Sequence, residues 1–315
     1  MSPSSVLPPL FVLAVDHRFD LFSELLAADP ARPGAANREQ AAELKQIVFA
    51  GLLAAVEDRV PKSQAAIWTD ADLGESVLLR ARGMRLSTIM SVEQARAPEF
   101  RFEDAAGFPQ HLERLGATCA GTRVRYDPAA GAEDNAGQCR KLRRLSEICR
   151  DSGLKLLVEL TAPSSGARPA RDGVGLGAGA EADAAAALEP GAVLLALQEL
   201  QDAGVAPDQW VFEATPDAQV MAALAAQACV DGRESGTLFT VCNAGDQESA
   251  DRLIELSARI PGVQGLVVGA SAYREELAAC QAGEMGRDEA AAGIAARYAR
   301  VYEAFTRARS TSGVV

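Results

Sequence analysis

Short apolar runs that end in charged or polar residues recur along this chain and alternate with longer stretches of helical periodicity. The first run, at 10–15, is followed at once by Asp16, His17 and Arg18. A run without polar alternation is typical of a strand buried on both faces, as in a parallel sheet covered by helices. The pattern therefore predicts parallel strands that carry polar groups where they end.

Helical patterns separate the apolar runs. The predicted strands lie within 10–18, 63–72, 85–94, 119–128, 154–163, 209–215, 237–246 and 263–271. The predicted helices lie at 39–57, 76–83, within 100–116, at 135–150, 193–204, 217–230, 247–259 and up to about residue 307. This alternation predicts an α/β protein with a single (β/α)8 TIM barrel over 1–315, and a doubly wound open sheet is the alternative.

The stretch at about 164–191 is rich in Gly, Ala and Pro. This composition predicts a loop insertion over the end of the fifth strand. The sequence GVGLGAG within it loosely resembles the glycine fingerprint of nucleotide-binding loops, but no strand leads directly into it. We therefore reject a nucleotide site at this place.

Composition narrows the possible partners. The formal net charge of −12 opposes binding to nucleic acid, and no apolar run is long enough to predict a membrane span. We expect a cytoplasmic protein that acts on a small-molecule substrate, and a homo-oligomer stays an open alternative. The six cysteines show no C-x-x-C spacing, so we expect reduced thiols rather than a disulfide framework.

In a TIM barrel the carboxyl ends of the strands form the catalytic face. We predict catalytic roles for Asp16, His17, Glu93, Glu159 and Glu213. We predict substrate-binding roles for Arg18, Asp70, Arg125, Tyr126, Asn243 and Ser271. Carboxylates crowded on one rim repel one another, so they require Arg partners, shared protons or a bound cation. A divalent Mg²⁺ or Mn²⁺ ion is one alternative, and the metal ligands stay unknown.

Structural roles compete with these functional ones at several positions. Asp72 and Asp127 also fit helix N-caps, and Arg125 also fits neutralisation of a neighbouring carboxylate. Tyr126 also fits an aromatic lid on the core. His17 is the one of the two histidines that lies at a strand end, which favours a role in chemistry.

Several segments, taken in order, resemble a known family. They are LFVLAVDHR, TDADLG, VEQARAPEFRFE, VRYDP, NAGQCRKLRRLSEICRDSGLKLLVEL, ELQDAGVAPDQWVFE and GLVVGASAY. The chain resembles the aldolase-type domain fused to the sugar kinase of bacterial myo-inositol catabolism, which is related to class I tagatose-bisphosphate aldolases. The resemblance implies a (β/α)8 barrel and a lyase that cleaves a ketose phosphate through a lysine Schiff base.

The chain departs from that family at the positions that carry its chemistry. Val211 stands where relatives have the lysine of a W-K-x-E pattern on strand six, and Gly121 and Gln94 stand in place of two further lysines. Ala244 and Ala270 stand in place of the phosphate-binding arginines. Without an amine at a strand end no iminium can form, and the loss of two charge-assisted contacts removes tight phosphate binding.

These observations predict an aldolase-like carbon–carbon lyase that acts on a small, non-phosphorylated carbonyl or sugar-derived substrate without a lysine Schiff base. The alternatives are an isomerase that passes through an enolate-like intermediate and a barrel that binds a metabolite without turnover. The carboxylates retained at the strand ends favour catalysis, because an unused cluster of like charges lowers stability.

Overall fold

The strands close into one parallel barrel in the order β1 to β8, with β8 paired to β1. The computed structural model describes residues 9–16, 21–94, 97, 99–103, 107–162, 190–230, 235–241 and 246–313. The strands are β1 Leu10–Ala14, β2 Ala65–Thr69, β3 Ser87–Ser91, β4 Cys119–Arg125, β5 Lys155–Thr161, β6 Gln209–Glu213, β7 Gly236–Thr240 and β8 Val263–Val268. The predicted (β/α)8 TIM barrel is confirmed.

Helices follow the strands around the outside of the barrel. They are α1 Ala35–Asp58, α2 Ala71–Gly83, α3 Phe108–Leu115, α4 Ala132–Asp151, α5 Pro190–Asp202, α6 Ala218–Ala228, α7 Gln247–Arg259, α8 Arg274–Gln281 and α9 Arg287–Ser312. Shorter helical turns span Leu21–Leu25, Lys62–Gln64 and Ala270–Ala272. The Gly- and Ala-rich stretch predicted as a loop insertion lies outside the described residues, except for its last two residues, which begin α5.

Helix α2 begins at Ala71, earlier than the periodicity predicts, because Asp70 caps it. The Asp70 carboxylate accepts a hydrogen bond from the backbone N–H of Leu73 at 2.7 Å. The last helix, α9, is tied back to the first strand, since the Tyr298 hydroxyl donates to the carbonyl oxygen of Phe11 at 2.7 Å. Capping and packing of this kind hold the helices at fixed positions around the strands.

The barrel interior is a packed apolar layer and not a channel. It is formed by Val12, Ala14, Ala66, Trp68, Ile89, Leu157, Val211, Leu238 and Val267. Each of these side chains is almost completely buried. Because successive residues of a strand face opposite sides, the next inward-facing position toward the carboxyl end lies two residues further on. The residues that could reach a substrate therefore lie directly above this layer.

Gly265 on β8 is needed for barrel closure. Its φ of +147° is outside the range that side chains adopt readily, and a Cβ atom would lie 1.9 Å from the carbonyl oxygen of Leu10 on the neighbouring strand. We expect Gly265→Ala to lower the free energy of unfolding by about 3 kcal/mol or more, because backbone cannot give way as a side chain can. Urea titration measures this loss.

Gly283 provides the matched control for Gly265. Its φ is +74°, but nothing lies within 4 Å of the position a Cβ would take. Gly283→Ala is expected to cost about 1–2 kcal/mol from backbone strain alone. Equal losses for the two alanine variants would contradict the steric role assigned to Gly265.

Candidate active site

A group of polar side chains lies on the apolar layer at the carboxyl ends of β1, β3, β4 and β5. We call this group the mouth cluster; it consists of Asp16, Ser91, Glu93, Arg123 and Glu159. Strand register brings them together, because Arg123 is paired with Glu159 across β4 and β5. The cluster occupies the face of the barrel where catalytic groups of this fold are found.

Arg123 joins two carboxylates of the mouth cluster. Its Nε donates to Glu159 Oε2 at 2.8 Å, and its Nη1 donates to Asp16 Oδ2. The Asp16 and Glu159 side chains are 2% and 13% exposed, against 25% for Arg123. The third guanidinium nitrogen, Nη2, has no hydrogen-bond partner among the described residues. A partly exposed guanidinium with a donor to spare can bind a substrate oxygen.

The charge on Arg123 is stabilised by its neighbours. Burial disfavours this charge, but Asp16, Glu159 and Glu93 together outweigh burial and hold the pKa of Arg123 above its ordinary value. The sequence predicts that carboxylates crowded on the rim require Arg partners, shared protons or a bound cation. In the mouth cluster, an arginine compensates their charge.

Below Arg123, a chain of hydrogen bonds reaches the barrel interior. Trp68 Nε1 donates to Ser91 Oγ at 3.0 Å, and the Ser91 hydroxyl donates to Asp16 Oδ2 at 3.3 Å. The guanidinium carbon of Arg123 lies 4.8 Å from the centroid of the Trp68 ring, within the range of a cation–π contact. Asp16 is therefore held from two sides, by Arg123 and by Ser91.

Glu93 follows β3 and is held there by a short antiparallel contact with Phe102. On either side of it, Gln94 N–H donates to the Arg101 carbonyl at 2.7 Å and Glu103 N–H donates to the Val92 carbonyl at 3.0 Å. Removal from water, reinforced by the negative charge of Asp16, raises the pKa of Glu93 to about 7, although Arg123 lowers it. A carboxyl group with this pKa can both accept and return a proton near neutral pH.

Three of the predicted catalytic residues, Asp16, Glu93 and Glu159, come together in the mouth cluster. Glu213 is the last residue of β6, on the same side of that strand as the inward-facing Val211. Arg125 lies at the carboxyl end of β4, on the same side as Arg123, and is exposed. Their roles in catalysis and substrate binding stay predictions.

The side chain of Asp70 is enclosed by the protein and makes contacts that stabilise the fold. It is completely buried, it caps α2, and its second oxygen forms an ion pair with Lys45 of α1. The Lys45 ammonium also donates to the carbonyl of Val15 and lies 3.3 Å from the Thr69 hydroxyl. These contacts engage both Asp70 oxygens within the protein, so they support a role in holding α1 and α2 against the barrel.

Tyr126 lies outside the barrel interior. Its ring is buried, its hydroxyl donates to Glu199 of α5 at 2.7 Å, and burial together with this hydrogen bond raises its pKa. It lines a cavity of about 450 Å³ between α4 and α5. These contacts fit the aromatic lid on the core that was the alternative to substrate binding.

The remaining predicted site residues are either exposed or outside the described part of the chain. Ser271 is exposed in the helical turn Ala270–Ala272 after β8. His17, Arg18 and Asn243 lie outside the described residues. Asp72 forms an exposed ion pair with Arg38 and does not cap α2.

Three important residues had no sequence-based prediction: Arg123, Ser91 and Trp68. A signal for Arg123 was present, since it lies two residues before Arg125 and so faces the same side of β4. Arg123 is also marked by being a charged residue inside a strand that is mostly buried. Nothing local marks Ser91 or Trp68, whose importance comes from contacts between strands.

Among the described residues, no group of three or more His, Cys, Asp or Glu side chains has the arrangement of a metal site. The described cysteines, Cys119, Cys139, Cys149, Cys229 and Cys280, are free thiols. Burial raises the pKa of Cys119, Cys139, Cys149 and Cys229, which keeps these thiols protonated.

Among the described helices, none has the length and apolar composition of a membrane span.

Comparison with known proteins gives a family and a fold. The family described as "Uncharacterized protein conserved in bacteria (DUF2090)" matches residues 3–309. No curated protein matches the chain. Among solved structures, Cgl0159 from Corynebacterium glutamicum is similar to this chain, with 16% identity and a TM-score of 0.58. The aligned region covers 93% of this chain and 85% of Cgl0159.

Two aldolases are similar in the same way. A Schiff base forming fructose-1,6-bisphosphate aldolase matches 93% of this chain and 94% of its own length at 16% identity, with a TM-score of 0.53. A fructose-bisphosphate aldolase from Slackia heliotrinireducens matches 91% and 85% at 13% identity, with a TM-score of 0.54. TM-scores above 0.5 over most of both chains show a shared barrel fold. At identities this low, the similarity does not extend to the reaction.

Proposed function

The chain belongs to the DUF2090 family, and from its barrel and mouth cluster we propose an aldolase-like carbon–carbon lyase that acts on a small, non-phosphorylated carbonyl compound without a lysine Schiff base. The observation that carries this proposal is Glu93, a partly buried carboxyl group with a pKa of about 7 beside Asp16 and Arg123. Carbon–carbon bond cleavage next to a carbonyl requires a proton acceptor of this kind together with a group that stabilises an enolate.

The positions of the lysines support a reaction without an iminium. The chain has four lysines: Lys45 and Lys141 on helices, Lys62 in the turn before β2, and Lys155 at the amino end of β5. Val211, which stands where relatives of the resembled family have their reactive lysine, is completely buried in the apolar layer. The Lys45 ammonium does reach the end of β1, next to Asp16, but it is completely buried and ion-paired with Asp70, so it is not open to the carbonyl of a substrate as a Schiff base requires.

The charge of the mouth cluster supports a substrate without phosphate. One guanidinium stands among three carboxyl groups, of Asp16, Glu93 and Glu159. A phosphate dianion bound to Arg123 would lie beside these carboxyl groups, and like charges at short range are unfavourable. A neutral hydroxycarbonyl compound can bind there without this penalty.

In the proposed reaction, Glu93 as carboxylate takes the proton from the hydroxyl group β to the substrate carbonyl. The bond between the α and β carbons breaks, the β carbon leaves as an aldehyde, and the electron pair forms an enolate. Arg123 stabilises the enolate oxygen through Nη2, and Glu93 returns the proton to the α carbon. The products are two carbonyl compounds, and no oxidant or reductant takes part.

Proton exchange tests the proposal without knowledge of the full substrate. Incubated in D₂O with dihydroxyacetone or hydroxyacetone, the protein is expected to introduce deuterium at the α carbon, as measured by NMR. We expect Glu93→Gln to slow this exchange by about 100-fold or more, since glutamine cannot accept the proton. The rate should rise with pH to a plateau with a midpoint near 7, because Glu93 is protonated at lower pH.

Glu255→Gln is the matched control, because Glu255 lies exposed on α7, where it pairs with Arg259 one turn along the helix. It should leave the exchange rate unchanged. Borohydride treatment in the presence of the same compounds is expected to leave the protein mass unchanged, and a trapped adduct on a lysine would contradict the reaction without an iminium. Binding without exchange would identify a metabolite-binding barrel instead of a lyase.

A further inference from the structure

Trp68 closes the barrel directly beneath the mouth cluster. Its side chain is completely buried and belongs to the apolar layer. It reaches across β3 to Gly121 on β4, where a Cβ atom would lie 2.7 Å from the indole Nε1 and 2.8 Å from Cε2. The indole therefore takes up the space that a side chain at position 121 would need.

The same indole contacts the polar groups above it in two ways. Its Nε1 donates to Ser91, which in turn donates to Asp16, and its ring face lies under the guanidinium of Arg123. Packed ring atoms beneath a guanidinium prevent it from withdrawing into the barrel, and the two carboxylates prevent it from tilting away. Arg123 is thus held at the mouth with Nη2 left to donate.

We propose that Trp68 is a positioning and specificity-determining residue, which sets the depth of the site and holds Arg123 at its floor, so that the donor carbonyl compound that binds to Arg123 is a short one. This inference rests on the proposed function. A substrate that binds above Arg123 cannot extend into the barrel, because the layer below is filled. Its size is limited by the floor, and its carbonyl oxygen is oriented by the guanidinium.

The test compares two tryptophan variants with a matched control. Trp68→Leu removes the ring and the N–H group, whereas Trp68→Phe keeps a ring beneath Arg123 and removes only the N–H group. Trp210→Phe is the control, because Trp210 is the other tryptophan of the chain, is equally buried, and faces the outer core on β6. Deuterium exchange is measured with three-carbon dihydroxyacetone and with six-carbon fructose.

We expect Trp68→Leu to raise KM for dihydroxyacetone about tenfold or more and to bring the fructose rate up to the dihydroxyacetone rate. Trp68→Phe should keep the preference for the short compound, with a KM change of about threefold or less. Trp210→Phe should change neither value. A folded Trp68→Leu variant with unchanged KM and unchanged length preference would overturn the proposal, and if this variant does not fold, loss of the length preference in Trp68→Phe would do so.

Fluorescence gives a readout that does not depend on turnover. In Trp210→Phe protein, Trp68 is the only tryptophan, and dihydroxyacetone is expected to change its emission saturably, whereas fructose should not. If the protein exchanges no proton from any probe, the proposed lyase fails, and the same emission comparison still tests the depth of the site. Equal emission responses to both compounds would overturn the role of Trp68 while leaving the lyase proposal intact.

Discussion

Replacement of Arg123 by glutamine is expected to lower the free energy of unfolding by about 3–5 kcal/mol at pH 8. Asp16 and Glu159 would then lie together, largely buried, without the guanidinium that now joins them. Acidification to pH 5 should reduce this loss, because protonated carboxyl groups do not require a counter-charge. The variant should also raise the pKa of Glu93 above 7, since Arg123 now lowers it.

Urea titration at the two pH values measures the loss for Arg123→Gln. Arg252→Gln is the control, because Arg252 forms an ion pair with Glu248 in which both side chains are about three-quarters exposed. An exposed pair of this kind contributes less than about 1 kcal/mol. If Arg123→Gln costs no more than the control at pH 8, the mouth cluster does not depend on its guanidinium and our description of it is wrong.

Lys45→Met is expected to lower the free energy of unfolding by about 3–5 kcal/mol, because it leaves the Asp70 carboxylate buried without its cation. Both side chains of this pair are 0% exposed. The ammonium also bonds to the carbonyl of Val15, next to Asp16, so its loss removes a contact between α1 and the end of β1. Urea titration measures the change.

Adding Asp70→Asn to Lys45→Met is expected to recover most of the lost stability. Asparagine carries no charge, and its side-chain oxygen can still accept the hydrogen bond from Leu73 that caps α2. Lys155→Met, in an exposed pair with Asp208, should cost less than about 1 kcal/mol. If the double variant is no more stable than Lys45→Met alone, the uncompensated carboxylate is not the cause of the loss.

The arginines of β4 show why the sequence indicates a strand end better than a site. The apolar run predicts the strand and its polar end, and this pattern indicates Arg125, the last residue of the strand, as the functional arginine. In the barrel, Arg123 is the residue whose guanidinium reaches Asp16 and Glu159, while Arg125 lies exposed beyond it. The stagger between neighbouring strands decides which of two residues on the same face of a strand lies at the mouth of the barrel. The sequence pattern within a single strand does not contain this information.

Asp70 and Tyr126 show the same limit in a different form. Both follow a strand, and position alone predicted substrate contacts for both. Asp70 has a buried lysine from the preceding helix, and Tyr126 has a glutamate from a helix 73 residues further along the chain. Partners this distant in sequence decide whether a polar side chain serves structure or chemistry.

By itself, the sequence determined the number, order and direction of the strands, and with them the barrel and the face on which Asp16, Glu93 and Glu159 stand. Period and length of the apolar runs suffice for this, because each run must be buried on both sides. Only the tertiary structure decided that Arg123 joins two of these carboxylates, that Trp68 fills the barrel below it, and that Glu93 has a pKa of about 7. These properties depend on burial and on the distances between residues that are far apart in the chain. Burial and distance set the strength of the electrostatic interactions and the shape of the floor beneath Arg123.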